Sequence, residues 1–134
     1  MQEVYEAIAS YELHLRYYKH ILAFTGFPWA HYTIGSCFGV RAGVYARQGG
    51  MNRQKAGEDF YFLSKLFPHY RFVEVDDTCV YPSPRPSARV PFGTGPAISS
   101  LIRDKEKPYM TYSPEAFYQM SVQKKSFLIQ TLGT

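Results

Sequence analysis

With 134 residues, the chain is long enough for one modest domain with a buried core and too short for two domains of usual size. Its apolar and aromatic fractions, 46% and 17%, exclude a disordered chain, and twelve tyrosines with ten phenylalanines predict a broad aromatic core or a surface that a partner covers. The formal charge of +4 falls well short of that of a dedicated nucleic-acid-binding protein.

The cysteines and the hydropathy pattern predict a cytoplasmic chain. Cys37 and Cys79 lie far apart without metal-ligand spacing, so we expect two buried, reduced thiols and no zinc site. No apolar run approaches the roughly 20 residues of a membrane span. The first residues form a polar helical pattern, which differs from a signal peptide.

The first predicted element is an amphipathic helix over 1–24. Its apolar residues recur at steps of four and three, at Val4, Ile8, Tyr11, Leu15, Tyr18 and Leu22. This stripe favours packing on the chain's own domain, with a short coiled-coil pairing as the alternative. Gly26 and Pro28 then predict a loop.

A strand and two helices are expected next. The glycine-bounded run from Ser36 to Val40 predicts a short buried strand. The segment "AGVYARQGG" predicts a short helix that ends at Gly49 or Gly50. A further helix should begin at Glu58 and stop at Pro68, because apolar residues cover one broad face between them.

The last third of the chain predicts one more strand, a stiff loop and two helices. The residues from Phe72 to Tyr81 alternate partly in the period of a strand, and "PSPRPSARVPFGTGP" predicts a long loop. A short helix is expected over 97–103, and a terminal helix over 114–129 with Ser113 as its N-cap. The elements together predict an α+β fold, with a small mixed sheet flanked by the long N-terminal helix and the C-terminal helix.

The acidic pair Glu58 and Asp59 opens the helix that follows "AG". Acidic residues in a first helical turn stabilise the helix dipole by roughly 0.3–1 kcal/mol each and are common there. Taken alone, the pair therefore favours a structural role over a catalytic one.

A family resemblance changes that balance. The stretch "IGSCFGVRAGVYARQGGMNRQKAGEDFYFLSKL", followed by "VYPSPRPSARVPFGTG", resembles the C-terminal half of a family 2 glycosyltransferase of GT-A fold, in a bacterial branch. The likeness runs over about 24–102 and joins three elements in order: the G-S strand, the G-G turn and the E-D helix start. It implies that 1–134 is a single partial, GT-A-like α/β domain on the acceptor side of such an enzyme, without the N-terminal nucleotide-binding half.

The resemblance also implies a chemistry. In such hexosyltransferase-like enzymes an acceptor hydroxyl attacks the anomeric carbon of a nucleotide-sugar, and a carboxylate of the E-D motif takes the proton. This role falls on Asp59, with Glu58 beside it. A helix N-terminus keeps such a carboxylate ionised, and the attacking hydroxyl becomes acidic as its bond to carbon forms.

Four residues of the matched stretch are candidates for substrate contact. Gly49 and Gly50 resemble the family's turn ahead of the acceptor region, and the alternative is that they supply the positive φ of a turn. Gly35 and Ser36 are candidates to place backbone amides near the donor sugar, and the alternative is the start of a buried strand.

Three further residues are weaker candidates. His31, among Trp29 and Tyr32, is a candidate for contact with the acceptor or diphosphate, with packing in an aromatic cluster as the alternative. Arg85 and Arg89, in the proline loop, are candidates to clamp a diphosphate, with a solvated loop as the alternative.

The departures from the family limit the expected activity. The sequence contains no D-x-D motif, so no cofactor is expected in this chain, and the divalent metal, Mg²⁺ or Mn²⁺, is expected only with the donor-binding half. The isolated chain should therefore be inactive. Self-association of the isolated chain is expected through the exposed apolar surface where the missing half would dock. The alternatives are a non-catalytic protein-interaction module and a phosphate-binding or nucleic-acid module, which lacks the usual basic cluster.

Overall fold

The protein is helical throughout its regular structure. The computed structural model describes residues 2–54, 56–81, 83–88, 90–104 and 109–132. Within these ranges there are five helices and no strand: α1 Gln2–Phe24, α2 Ala42–Arg47, α3 Glu58–Leu66, α4 Thr94–Arg103 and α5 Pro114–Leu132. The predicted α+β fold with a small mixed sheet is therefore wrong.

Neither segment predicted as a strand forms one. The run from Ser36 to Val40 is a turn followed by irregular chain, and 72–81 is also irregular, without ladder hydrogen bonds. Alternation survives in the second segment, where Phe72 faces the molecule while Val73 and Val75 are 77% and 64% exposed. A two-residue period reports an extended chain with two unequal faces, but a strand also needs a partner to receive its hydrogen bonds.

The predicted helices all form, with two shifted boundaries. α5 ends at Leu132, three residues after the predicted end at 129. α4 begins at Thr94, three residues before the predicted start, because Pro96 lies in the first turn, where a helix needs no backbone donor. The N-cap of α5 is confirmed, since the backbone N–H of Glu115 donates to Ser113 Oγ over 3.2 Å.

One packing unit combines α1, α4 and α5. α1 packs against both other helices. Its buried residues are Ala7 of α1, Ile98 of α4 and Phe117 of α5. The predicted apolar stripe of α1 faces this unit, and even Tyr18, which remains 40% exposed, lies 5.9 Å from the Phe117 ring between centroids.

A second unit is built on α3. Phe62, Leu63 and Leu66 form its buried core, and the partly buried side chains packed on it come from α2 and the adjacent loops: Phe38, Val40, Val44, Met51, Phe67 and Tyr70. Phe60, one of the apolar residues between Glu58 and Pro68 that were expected to share one broad face, is 52% exposed. The helix therefore buries a narrower face than its sequence indicates.

The chain leaves much of its surface uncovered. It exposes 10627 Å², whereas a compact monomer of 15.4 kDa exposes about 7200 Å². Cys37 and Cys79 are free and exposed, so their predicted burial is wrong, because the sheet expected to cover them is absent from the described residues. Among the helices in the described ranges, none has the length and hydropathy needed to span a membrane.

Candidate functional site

Asp59 lies in the first turn of α3, where the chain enters the helix through Gly57. Gly57 has φ 77°, a left-handed conformation that glycine adopts without a Cβ clash, and it gives the helix no side-chain cap. Asp59 satisfies part of this helix end, since its Oδ1 accepts a hydrogen bond of 2.7 Å from the backbone N–H of Phe60.

The other carboxylate oxygen of Asp59 faces the backbone of Gly35. A β-carbon placed on Gly35 would lie 2.7 Å from Asp59 Oδ2 and 3.3 Å from Asp59 Cβ. Because real β-carbon contacts are not that short, the approach requires glycine. The G-S and E-D motifs, far apart in the sequence, therefore meet in direct contact, and both Glu58 and Asp59 are partly buried.

Ser36, beside this contact, is exposed. Its hydroxyl lies 3.5 Å from the Sγ of Cys37. The chain turns from Ile34 to Cys37, where the backbone N–H of Cys37 donates to the carbonyl oxygen of Ile34 over 2.9 Å. Ser36 therefore occupies a surface turn next to Gly35 instead of the first position of a strand.

Gly49 and Gly50 form the C-terminal cap of α2. The Gly49 N–H donates to the carbonyl of Ala46 over 3.1 Å, and the Gly50 N–H donates to the carbonyl of Tyr45 over 2.9 Å, the pattern of a Schellman motif. Gly50 has φ 68°, and a β-carbon there would lie 2.9 Å from the Tyr45 ring. Tyr45 in turn contacts Phe62 at 5.2 Å between ring centroids, so this cap is tied to the α3 core.

His31 belongs to a different cluster. Its ring lies 4.0 Å from the Phe72 ring and 5.1 Å from the Phe67 ring, measured between centroids. Its Nδ1 lies 3.2 Å from Glu74 Oε1, while Lys19 Nζ donates to Glu74 Oε2 over 2.5 Å. The cluster joins the C-terminal half of α1 to the end of α3, which ties the two packing units together.

Glu74 is the charged centre of this cluster. The hydrogen bond from Lys19, and then that from His31, lowers the pKa of the Glu74 carboxyl below its ordinary 4.5. The Lys19 ammonium also lies 4.5 Å from the centroid of the Tyr32 ring, a cation–π contact. Glu74 lies in the segment predicted as a strand, and its carboxylate pairs with groups from two other segments of the chain.

We expect the Glu74 pair to stabilise the fold at neutral pH and to lose this contribution in acid. A carboxyl whose pKa is lowered by folding contributes its full stability above the unfolded value of 4.5, and that contribution is lost as the pH falls through the lower folded value. Glu74→Gln should therefore lower the free energy of unfolding at pH 7, by less than about 1 kcal/mol for a partly exposed pair. Below pH 4 the difference should shrink.

Urea unfolding at pH 7 and at stepped lower pH values measures this effect. Asp76→Asn, which removes an exposed carboxylate from the same segment, is the matched control and should leave the unfolding curve unchanged. A constant difference between Glu74→Gln and the parent protein across the whole pH range would contradict the expected linkage.

The proline loop reaches α3 through Phe92. A β-carbon on Gly57 would lie 3.4 Å from Phe92 Cζ, so the Phe92 ring covers the residue that precedes Glu58. Arg85 lies further back in the loop and is exposed, with its backbone N–H donating to the Ser83 carbonyl over 2.9 Å. Arg89 lies outside the described residues.

The described residues offer no metal site. None of their His, Cys, Asp and Glu side chains forms a group of three or more arranged to hold a metal ion. The divalent metal expected with the donor-binding half therefore has no ligand group among the residues that the structure describes.

Several contacts of this region escape sequence reasoning. Phe92 covers Gly57 and Glu74 pairs with Lys19, but each pair is distant in the chain, and neither residue type nor spacing indicates the contact. For the contact between Asp59 and Gly35, the sequence offered one indication, which is that both residues belong to motifs of the family that the chain resembles.

Comparison of the chain with family models, curated proteins and solved structures finds no match.

Proposed function

We propose that this chain is the acceptor-side portion of a nucleotide-sugar-dependent glycosyltransferase, in which Asp59 is the general base. The acceptor oxygen forms a bond to the anomeric carbon, the bond from that carbon to the nucleoside diphosphate breaks, and the acceptor proton passes to the Asp59 carboxylate. The nucleoside diphosphate leaves with the electron pair of the broken bond. The nucleotide and its metal belong to a donor-binding half that this chain does not contain.

One observation carries the proposal: the contact between Asp59 and Gly35. It brings two of the three motifs of the resemblance together, and it fixes the carboxylate between the Phe60 N–H and a glycine backbone. A general base needs a carboxylate that is held in a fixed position. Because Gly35 has no side chain, it does not block Asp59 Oδ2.

The large exposed surface supports the proposal that a second half of the enzyme binds to this chain. The chain exposes 10627 Å², roughly half as much again as a compact monomer of its mass. Large side chains on this surface include Phe24, Tyr81 and Met110, each at least 80% exposed. Surface of this kind is typical of a site of protein association.

The same surface favours a second candidate, a non-catalytic interaction module that self-associates. Sedimentation of the isolated chain over a wide concentration range tests this second candidate, because self-association gives a mass that rises with concentration. A donor-binding half added in excess should abolish that rise if it covers the same surface. Purely monomeric behaviour throughout would remove the second candidate.

The transferase proposal is tested in a protein that joins a family 2 nucleotide-binding half to the N-terminus of this chain. A panel of nucleotide-sugars is supplied with a mixture of sugar acceptors, and products are identified by mass spectrometry. Water is itself an acceptor, so release of free sugar also counts as turnover. Bound nucleotide-sugar with neither transfer nor hydrolysis would overturn the proposal.

Gly35→Ala should disable the joined protein by displacing Asp59. The new β-carbon would stand 2.7 Å from Asp59 Oδ2, so the carboxylate must move, and a misplacement of about 1 Å costs on the order of 10²-fold in rate. Gly35 does not have a positive φ, so alanine strains the contact and not the backbone.

Gly39→Ala is the matched control, because a β-carbon at Gly39 meets nothing within 4 Å. It should leave turnover within about twofold, as expected for a surface substitution. The carboxyl carbon resonance of Asp59 should shift in Gly35→Ala and stay in place in Gly39→Ala. Equal turnover in both variants would show that the Asp59 position is not critical.

A further inference from the structure

An open groove lies between α1 and α4 and has no role in the chemistry described so far. It is bordered by Tyr11 of α1, by Phe92 ahead of α4, and by Ser100, Asp104 and Tyr109. Its volume of about 490 Å³ falls within the range of about 300–1,000 Å³ that ligand sites occupy. Asp59 and Gly35 do not line it, so the groove is distinct from their contact.

Aromatic rings form the walls of the groove. Tyr11 and Tyr109 meet edge to face, with 6.3 Å between ring centroids and an interplanar angle of 89°. Phe92, which also lines the groove, is 58% exposed, so its ring offers apolar surface to a ligand. Such rings bury flat apolar faces, while the tyrosine hydroxyls hydrogen-bond at the edge.

Two polar side chains, those of Asp104 and Ser100, complete the lining. Among the described residues of the groove, Asp104 is the one charged side chain, and Ser100 adds a hydroxyl. A carboxylate accepts hydrogen bonds from neighbouring ligand hydroxyls and repels a phosphate or carboxylate. Arg103 Nε lies 3.4 Å from Asp104 Oδ1, and Arg103 lines an adjacent groove that shares Ser100 with this one.

The position of Phe92 connects the groove to the E-D motif. One end of its ring lies against Gly57, where a β-carbon would be 3.4 Å from Phe92 Cζ, and Gly57 immediately precedes Glu58 and Asp59. A ligand seated against Phe92 is therefore next to the first turn of α3.

We infer that this groove binds a neutral glycoside, which is the sugar residue of the acceptor. Its apolar ring face lies on Phe92 and the tyrosines, and its hydroxyls donate to Asp104. The inference rests on the proposed transferase function for the ligand's role, but the binding itself requires only this chain. It names the acceptor class as an uncharged sugar and excludes a phosphorylated one.

Saturation-transfer NMR on the isolated chain tests the binding. The probes are methyl glycosides of the common neutral hexoses and N-acetylhexosamines at millimolar concentration, with glucose 1-phosphate as the charged comparison. At least one neutral glycoside should bind, and glucose 1-phosphate should not. Phe92→Ala should weaken that binding about tenfold, the loss of one exposed aromatic contact.

Phe24→Ala is the matched control, since Phe24 is 86% exposed at the end of α1 and does not line the groove. It should leave the affinity unchanged, and circular dichroism checks that both variants stay folded. The inference is overturned if no neutral glycoside binds, if glucose 1-phosphate binds more tightly, or if Phe92→Ala and Phe24→Ala bind equally. None of these outcomes bears on turnover of the joined protein, so a failure here is separate from a failure of the proposed function.

Discussion

Asp59→Asn should lower the turnover of the joined transferase by roughly 10²–10⁴-fold, the usual contribution of a general base. Asparagine keeps the size of aspartate, and its amide oxygen can still accept the hydrogen bond that Asp59 Oδ1 takes from the Phe60 N–H. What it loses is the ability to take a proton. Steady-state kinetics on the joined protein measure the change, with the loss expected in kcat.

Nucleotide-sugar binding should hardly change in Asp59→Asn, because it belongs to the donor-binding half. The free energy of unfolding should fall by less than about 1 kcal/mol, the size of a helix-dipole interaction. Glu115→Gln, which neutralises an acidic residue in the first turn of α5, is the matched control and should retain full turnover. Full turnover in Asp59→Asn, or a variant that unfolds, would assign the carboxylate a capping role only.

Phe62→Ala should destabilise the protein by about 3–5 kcal/mol, the largest stability effect that we expect from a single substitution. Phe62 is 1% exposed in the core of the α3 unit, and its ring contacts those of Tyr45 and Phe38 at 5.2 and 6.4 Å between centroids. Removing the ring leaves a cavity that the surrounding side chains can fill only in part. The loss is a large share of the 5–15 kcal/mol that a typical domain has.

Urea unfolding, followed by circular dichroism, measures this loss. Phe60→Ala is the matched control, because it makes the same substitution two residues earlier on the same helix, at a side chain that is 52% exposed. That variant should change the free energy of unfolding by no more than about 0.5 kcal/mol. Equal losses in the two variants would contradict the assignment of the α3 core.

The helices were predictable because their signals are local. Apolar spacing identified α1 and α3, and a glycine pair marked the end of α2. Ser113 and Pro114 marked the start of α5, where the capping hydrogen bond forms as predicted. Each of these signals acts within a few residues, so the rest of the fold does not alter them.

The strands were not predictable, since a strand depends on a second segment. The alternation near Phe72 indicates which side chains face the rest of the molecule. Phe72 does so, because its ring contacts those of His31 and Phe67. Alternation cannot report whether another backbone lies alongside. The predicted burial of Cys37 and Cys79 failed for the same reason, since both lie in these unpaired segments.

The candidate site was predictable in part. Residue type and position placed Asp59 in a first helical turn, and the structure has it there. Its contact with Gly35 and the cover of Gly57 by Phe92 arise from chain segments far apart in the sequence. Such contacts are set by the packing of whole elements, which neither composition nor periodicity specifies.

The rate of sugar release from a nucleotide-sugar, measured as this chain is added to a separate donor-binding half, tests the central claim most directly. The donor-binding half alone holds the nucleotide but lacks the Asp59 carboxylate. We predict that the rate rises with added chain to a plateau at least about 100-fold above that of the donor-binding half alone, the lower bound for a general base. An unchanged rate, with sedimentation showing the two parts bound to each other, would contradict the account.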